Sequence, residues 1–236
     1  MTLRMAVPAL VTLIALTCGL AAIQAAHAGH WDMALRFIML AALADTVDGT
    51  VARMLHASSN MGKELDSLSD LVTFGAAPAF MFASRHSEAP IEIVFGAMVL
   101  FVASGAYRLA RYNGQASRGD AFCGLPIPAA GILLAASVAG PINLSYTEAA
   151  VVAIVLSVLM VSRAPFPMPK FGWGLLLPLL GAAVIPVALV NSADWLAVAA
   201  IVLLGVYVVM GIAGALSEHF AETVPEEVRE DAPAHT

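Results

Sequence analysis

Four aspartates with helical spacing stand close together in this chain. Asp45 and Asp48 come at the end of one predicted helix, and Asp66 and Asp70 come at the start of the next. A short loop joins the two helices, so we expect them to be antiparallel neighbours. Because a helix turns by about 100° per residue, each pair of aspartates shares one face of its helix. The spacing therefore predicts that the four carboxylates meet at one edge of the helical layer.

This concentration of negative charge needs compensation. Arg53 and Lys63 are the cations beside the four aspartates, and two cations cannot neutralise four carboxylates in surface ion pairs. Oxygen ligands without His or Cys favour Mg²⁺ or Mn²⁺, and four carboxylates match the charge of two divalent ions. Two such ions about 3.5–4 Å apart can stabilise the attacking and the leaving oxygen of a phosphoryl transfer. We predict that the four aspartates hold two divalent metal ions, Mn²⁺ or Mg²⁺.

Small and basic residues accompany the carboxylates. Gly49 and Ala52 have little side-chain bulk, so a flat base or a diphosphate can approach the helix backbone beside them. Close packing of helices explains the same small residues without a ligand. Arg53 and Lys63 can hold phosphate oxygens, or they can simply extend toward water from the ends of their helices. From the residues alone, both interpretations stay open.

The order of these residues resembles the signature of a known family. The motif reads DxxDGxxAR from Asp45, then eight residues, then GxxxDxxxD from Gly62 to Asp70. It resembles the signature of the CDP-alcohol phosphatidyltransferases, which are integral membrane enzymes, usually dimeric, that attack a CDP-linked lipid with an alcohol and release CMP. The resemblance implies that the four aspartates bind two divalent metal ions and that Asp70 is also the catalytic base. It implies that Gly49, Ala52 and Arg53 contact the CDP group, and we expect Gly62 and Lys63 to complete the CDP-binding set.

A second stretch narrows this resemblance. Residues 108–113 read RLARYN and residues 122–130 read FCGLPIPAA, a pair of motifs similar to those of the phosphatidylserine synthases within the family. The resemblance implies CDP-diacylglycerol as donor and L-serine as acceptor. An arginine fork suits the serine carboxylate, and backbone carbonyls suit its ammonium group. We expect Arg108 or Arg111 to supply the fork. The remaining serine contacts are expected from Asn113, Phe122, Gly124 and Pro126.

The composition identifies a membrane protein. Of the 236 residues, 60% are hydrophobic and only 12% are charged, whereas a soluble domain carries about 25% charged residues. The mean hydropathy is +0.86. A net charge of −6 offers no basic surface to a nucleic acid, so we expect no such partner.

The hydropathy pattern predicts an all-α, polytopic fold with about eight transmembrane helices. They lie near 5–26, 32–56, 62–84, 90–111, 127–143, 147–162, 172–191 and 195–217. The fifth and sixth segments are short, so six spans is the alternative. Residues 1–217 are thus expected to form one transmembrane domain, and the acidic residues 218–236 a disordered tail.

The distribution of basic residues predicts the orientation. If both termini are cytoplasmic, most Lys and Arg residues fall on the cytoplasmic side, and Arg36 and Arg85 fall on the other. The four aspartates then lie at the cytoplasmic face. We expect a protein of the bacterial inner membrane in contact with membrane lipids, and the family resemblance adds a homodimer.

Two other functions fit parts of this pattern. A sister enzyme with glycerol 3-phosphate or an inositol phosphate as acceptor would share the aspartates. Such an acceptor should require more cations than Arg108, Arg111 and Arg118 provide. A cation transporter would also place carboxylates in the membrane, but at its midplane rather than at a helix edge.

Overall fold

The computed structural model describes residues 3–54, 59–115, 124–164 and 193–223. All regular secondary structure in these ranges is helical, which confirms the all-α prediction for this part of the chain. The helices are α1 (Leu3–His27), α2 (Trp31–Met54), α3 (Asn60–Asp70), α4 (Ala77–Arg85), α5 (Ile91–Gln115), α6 (Ile127–Ala139), α7 (Tyr146–Val161) and α8 (Ala193–Thr223). A π-helical stretch, Leu71–Ala76, joins α3 directly to α4.

The predicted helical segments agree with these helices except at some ends. The segment predicted at 172–191 lies outside the described residues, so the count of eight stays a prediction. Helix α6 ends at Ala139 rather than at residue 143, because the backbone turns to an extended conformation at Gly140 and Pro141 follows. Helix α8 continues to Thr223, past the expected end at residue 217. The rest of the predicted tail, 224–236, lies outside the described residues.

Two of the described helices are long and apolar enough to cross a bilayer. These spans are Ala9–His27 in α1 and Ile91–Gly114 in α5, and shorter apolar helices lie at Ile127–Ala139, Tyr146–Val161 and Ala197–Ile212. Exposed apolar side chains line several of these helices, among them Leu13 of α1, Val155 of α7 and Val206 of α8. An apolar surface of this kind is suited to lipid rather than to water.

The chain from α3 to α4 is one continuous helix with a π-helical turn in its middle. Pro78 lies in the first turn of α4, where it has no N–H to donate and where its ring would clash with the Phe74 carbonyl in an ordinary α-helix. The backbone avoids this clash because the Ala77 N–H donates to the Val72 carbonyl, five residues earlier. Phe74, within this turn, and Phe82, after it in α4, are fully buried.

Hydroxyl groups fasten this long helix to α1. The Ser69 Oγ donates to the Thr12 carbonyl at 3.2 Å, and the Thr73 Oγ1 donates to the Ala15 carbonyl at 3.3 Å. Near the other end, the Ser84 Oγ donates to a carbonyl of α1 at 3.0 Å. Hydrogen bonds between membrane helices hold neighbours in a fixed register because lipid offers no competing partners.

Helix α6 lies at the centre of the described structure. Residues on all of its sides are buried, including Ile127, Leu134 and Val138, and it packs against α2, α4, α7 and α8. A helix that is hydrophobic all round belongs in a protein interior. Around it, α2 and α3 bring three aspartate side chains together, and Arg108 of α5 lies beside them.

Candidate functional site

Three of the four predicted metal ligands meet in the structure. Asp45 of α2 and Asp66 and Asp70 of α3 are partly buried, and each offers a carboxylate oxygen within 4.8 Å of the other two. Asp48 lies on the next turn of α2, but its side chain is outside the described part of the structure. The aspartates that the structure describes are therefore brought together as their helical spacing predicts.

The carboxylates of this cluster suit a divalent cation. Asp45 and Asp66 each offer a carboxylate oxygen within 4.8 Å of the other's, and the two side chains interact. Two carboxylates so close repel one another unless they share a proton or a cation. Partly buried oxygen ligands from three aspartates are the donor set that Mg²⁺ and Mn²⁺ prefer. The residues present fit a divalent metal ion.

Local structure holds α3 in place around its two aspartates. The Ser59 side chain caps the first turn and accepts from the Gly62 N–H at 3.0 Å. Gly62, a predicted CDP contact, thus also serves the start of the helix. Directly after Asp70, the Leu71 N–H is shared between two carbonyls, and there the α-helix passes into the π-helical stretch.

The other predicted CDP-binding residues are only partly described. Gly49, Ala52 and Arg53 lie in the backbone of α2, after Asp45, and their side chains are outside the described part of the structure. Lys63 is exposed at the start of α3. The backbone thus places the predicted CDP set along the end of α2 and the start of α3.

Arg108 of α5 lies beside the carboxylate cluster. Asp70 attracts its guanidinium group electrostatically, and the Tyr112 and Tyr207 side chains interact with the same group. The Arg108 Nε is buried and has no hydrogen-bond partner among the described residues. A buried N–H without a partner is costly, and a guanidinium group binds carboxylates and phosphates strongly. The structure thus places the Arg108 guanidinium group beside Asp70, with a donor that the described residues leave available.

Arg111, one turn later, contacts a different helix. Its Nη1 donates to the Val161 carbonyl at 2.8 Å, and its Nη2 donates to the Ser162 carbonyl at 3.1 Å. Its guanidinium carbon also lies 5.9 Å from the centre of the Tyr107 ring. Carbonyls at the end of a helix have no partners within that helix. Arg111 satisfies them and ties the end of α7 to α5.

The turn at Gly124 is fastened to the same end of α7. Gly124 has φ 87°, and its N–H donates to the Ala164 carbonyl at 2.9 Å. A Cβ on Gly124 would lie 2.9 Å from the Arg111 Nη2, so the turn needs glycine for both its conformation and its space. Pro126 follows as the residue before α6. Phe122 lies outside the described residues.

Asn113 contacts α3 instead. Its Nδ2 donates to the Ser67 Oγ at 3.0 Å. The described residues predicted to bind serine therefore divide into two groups. Asn113 contacts α3 and Arg108 is attracted by Asp70 of α3, while Arg111 and Gly124 contact the end of α7.

Sequence reasoning missed two groups in this region. Ser67 lies between Asp66 and Asp70 in the motif. Its position could be read from the sequence, but its hydrogen bond with Asn113 could not. Tyr207 of α8 interacts with Arg108. The only sequence signal for this interaction is a tyrosine within an apolar helix.

Comparison with known proteins agrees with the motif. Residues 5–217 match the family model described as CDP-alcohol phosphatidyltransferase. A CDP-diacylglycerol–serine O-phosphatidyltransferase of Bacillus subtilis is 35% identical over 165 residues, 68% of this chain and 89% of the relative. A protein of the same name from Helicobacter pylori is 32% identical over 216 residues, 87% of this chain and 89% of the relative. One from Methanocaldococcus jannaschii is 39% identical over 130 residues, 55% of this chain and 61% of the relative.

The family match spans the helices that bring the aspartates together. It covers α1 to α7 almost completely and most of α8. The resemblance predicted from the aspartate motif is confirmed, and the chain belongs to the CDP-alcohol phosphatidyltransferase family.

Proposed function

We propose that this protein transfers the phosphatidyl group of CDP-diacylglycerol to L-serine and forms phosphatidylserine and CMP. The observation that carries the proposal is the meeting of Asp45, Asp66 and Asp70 within 4.8 Å beside the partly buried Arg108, whose buried Nε has no hydrogen-bond partner among the described residues. The relatives named for the same reaction support serine as the acceptor.

The reaction we propose is a direct displacement. Asp70 accepts the proton of the serine hydroxyl, and the serine oxygen forms a bond to the phosphorus that carries diacylglycerol. The bond from this phosphorus to the bridging oxygen breaks, and CMP leaves with that oxygen. Two divalent metal ions, bound by Asp45, Asp48, Asp66 and Asp70, would neutralise charge on the diphosphate and on the leaving group.

The donor and the acceptor are proposed to occupy different sides of α3. The CDP group lies along Gly49, Ala52 and Arg53 of α2, with Gly62 and Lys63 at the start of α3. Serine lies on the side of α5.

Of the two arginines proposed for the serine carboxylate, Arg108 has the better position. Its guanidinium interacts with Asp70, the proposed base, whereas that of Arg111 donates to carbonyls at the end of α7. The segment from Phe122 to Pro126 is proposed to direct backbone carbonyls at the serine ammonium group.

The proposed setting is the cytoplasmic face of a bacterial inner membrane. Residues 1–217 form the membrane domain of a homodimer, both termini are cytoplasmic, and residues 218–236 form an acidic tail. The diacylglycerol tails would enter between helices from the inner leaflet. The basic residues collected on the side of the aspartates support this orientation.

An acceptor scan of the purified protein in detergent tests the proposal. With CDP-diacylglycerol and Mn²⁺, we expect L-serine to give phosphatidylserine and one CMP per lipid formed. A preference for glycerol 3-phosphate or an inositol phosphate would refute serine as the acceptor. Absence of CMP release with every alcohol would refute the transferase reaction and favour a cation transporter.

A further inference from the structure

The hydrogen bond between Asn113 and Ser67 joins α5 to the helix that carries the proposed metal ligands. The Asn113 Nδ2 donates to the Ser67 Oγ at 3.0 Å, and both side chains are partly buried. Ser67 directly follows Asp66 in α3. Asn113 belongs to the group of residues that sequence resemblance assigns to serine binding, yet its contact in the structure is with the helix of the aspartates.

A second hydroxyl holds α3 from the other side. The Ser69 Oγ donates to the Thr12 carbonyl of α1 at 3.2 Å. At about 100° per residue, Ser67 and Ser69 lie roughly 80° to either side of the face shared by Asp66 and Asp70. The aspartate face of α3 is thus flanked by two hydrogen bonds, one to α5 and one to α1.

Two flanking bonds of this kind control rotation of a helix about its axis. If the bond on one side is lost, α3 can turn toward the other, and the oxygens of Asp66 and Asp70 then move relative to those of Asp45 on α2. Ligand oxygens must be held close to one geometry for strong metal binding. We therefore expect a small rotation of α3 to weaken metal binding.

We propose that Asn113 is a positioning residue for the metal site, which acts through Ser67 by setting the rotation of α3. It does not bind the acceptor. The inference rests on the metal-dependent reaction proposed above, and it assigns Asn113 to the aspartates rather than to serine. It also links α5, which carries Arg108 for the acceptor, to the carboxylates that act on the donor.

Manganese binding, measured without any substrate, tests this proposal. The free Mn²⁺ signal in electron paramagnetic resonance gives the Kd for the purified protein in detergent. We expect Asn113→Ala and Ser67→Ala each to weaken Mn²⁺ binding by about threefold to tenfold, the effect of one hydrogen bond. The double variant should be no weaker than either single variant, because both changes remove the same bond. Ser67→Thr, which keeps the hydroxyl, should restore binding.

Ser84→Ala provides the matched control. It removes a hydroxyl hydrogen bond to α1 of 3.0 Å from the same continuous helix, at the end remote from the aspartates. We expect its Mn²⁺ affinity to equal that of the unmodified protein. Thermal unfolding in detergent confirms that each variant is folded before its affinity is compared.

Two results would overturn the positioning role. One is an Asn113→Ala protein with unchanged Mn²⁺ affinity and a raised KM for serine, together with a normal Ser67→Ala protein. The other is additive loss in the double variant. If the single variants weaken Mn²⁺ binding as expected but the unmodified protein does not use serine, the positioning role stands and the proposed acceptor is refuted.

Discussion

Asp70 has two neighbours that define its proposed role. It lies within 4.8 Å of the other carboxylates of the cluster, and Arg108 attracts it from α5. A carboxylate beside a metal site and a guanidinium group can accept the proton of a hydroxyl group that is brought to the same place. In the proposed reaction, Asp70 serves both the donor and the acceptor.

Asp70→Asn is expected to stop the reaction while the lipid donor still binds. The amide cannot accept the proton of the serine hydroxyl, and a lost general base costs about 100-fold to 10,000-fold in rate. Three of the four proposed metal ligands remain. CMP release and CDP-diacylglycerol binding, measured on the same preparation, check this expectation. A turnover close to that of the unmodified protein would reject Asp70 as the base.

Arg108→Ala should affect serine more than the lipid donor. The loss of a charge-assisted contact at a buried site costs about 2–5 kcal/mol, so the KM for serine should rise roughly 25-fold or more, since 1.4 kcal/mol is one decade. Arg111→Ala is the matched control because its guanidinium donates to carbonyls at the end of α7. It should lower the unfolding temperature and change the serine KM less.

Kinetics with each substrate varied in turn separate the two arginines. If Arg108→Ala raises the requirement for both substrates equally, Arg108 is not the serine ligand. A larger serine effect from Arg111→Ala would assign the carboxylate contact to Arg111.

At the scale of residues, the sequence predicted the carboxylate cluster but not the hydrogen bonds that hold its helices in place. Helical periodicity is sufficient to place Asp66 and Asp70 on one face, and the short loop that makes the two helices antiparallel neighbours predicts that they meet Asp45. The hydrogen-bond partners of Ser67 and Arg111 depend on which helices pack together and on how far those helices are shifted along their axes relative to one another. Periodicity within one helix carries no information on either.

At the scale of elements, the π-helical turn at Leu71–Ala76 is the feature that the sequence did not predict. Hydropathy indicated one helix over 62–84, and the structure has a continuous helix there. A π-helical turn adds one residue to a turn, so the residues after it are rotated by about 100° relative to an unbroken α-helix. The turn lets α3 direct aspartates to the site while α4 buries Phe82. Pro78 is the residue in the sequence that indicates this turn, because proline cannot continue an ordinary α-helix at its position.

Helix α6 comes so close to this turn that only glycine fits. A Cβ on Gly131 would lie 2.8 Å from the Cα of Phe74, a backbone atom that cannot move alone. Gly131→Ala should therefore destabilise the protein by about 1–3 kcal/mol, the usual cost of overpacking. Thermal unfolding in detergent measures the change.

Gly96→Ala is the control for this substitution. Gly96 is also within a helix, α5, but no atom of the described residues lies within 4 Å of a Cβ added there. Alanine in a helix interior is about 0.5–1 kcal/mol more favourable than glycine, so this variant should unfold at the same or a slightly higher temperature. Equal effects of the two substitutions would contradict the close approach of α6 to the π-helical turn.

At the scale of the whole molecule, hydropathy predicted the segments and could not predict their arrangement. All transmembrane candidates look alike in composition, yet α6 is buried on all sides while α7 exposes Val151, Val155 and Val158. Which helix becomes central is decided by how closely the backbones can approach and by hydrogen bonds such as those of Ser69 and Thr73 to α1. These are pairwise properties that a single apolar segment does not reveal.

The carboxylate cluster joins α2 to α3, so metal binding should stabilise the fold as well as allow catalysis. A ligand that binds only the folded state adds about 2.7 kcal/mol to its stability at 100 times its Kd. Mn²⁺ or Mg²⁺ should therefore raise the unfolding temperature in detergent, and K⁺ at equal ionic strength should not. EDTA should abolish CMP release, and added Mn²⁺ should restore it.

In Asp45→Ala, which loses one of the three carboxylates that lie within 4.8 Å, the shift in unfolding temperature should shrink together with activity. Full activity in EDTA, or an equal shift in this variant, would show that the aspartates do not hold the metal on which the proposed displacement depends.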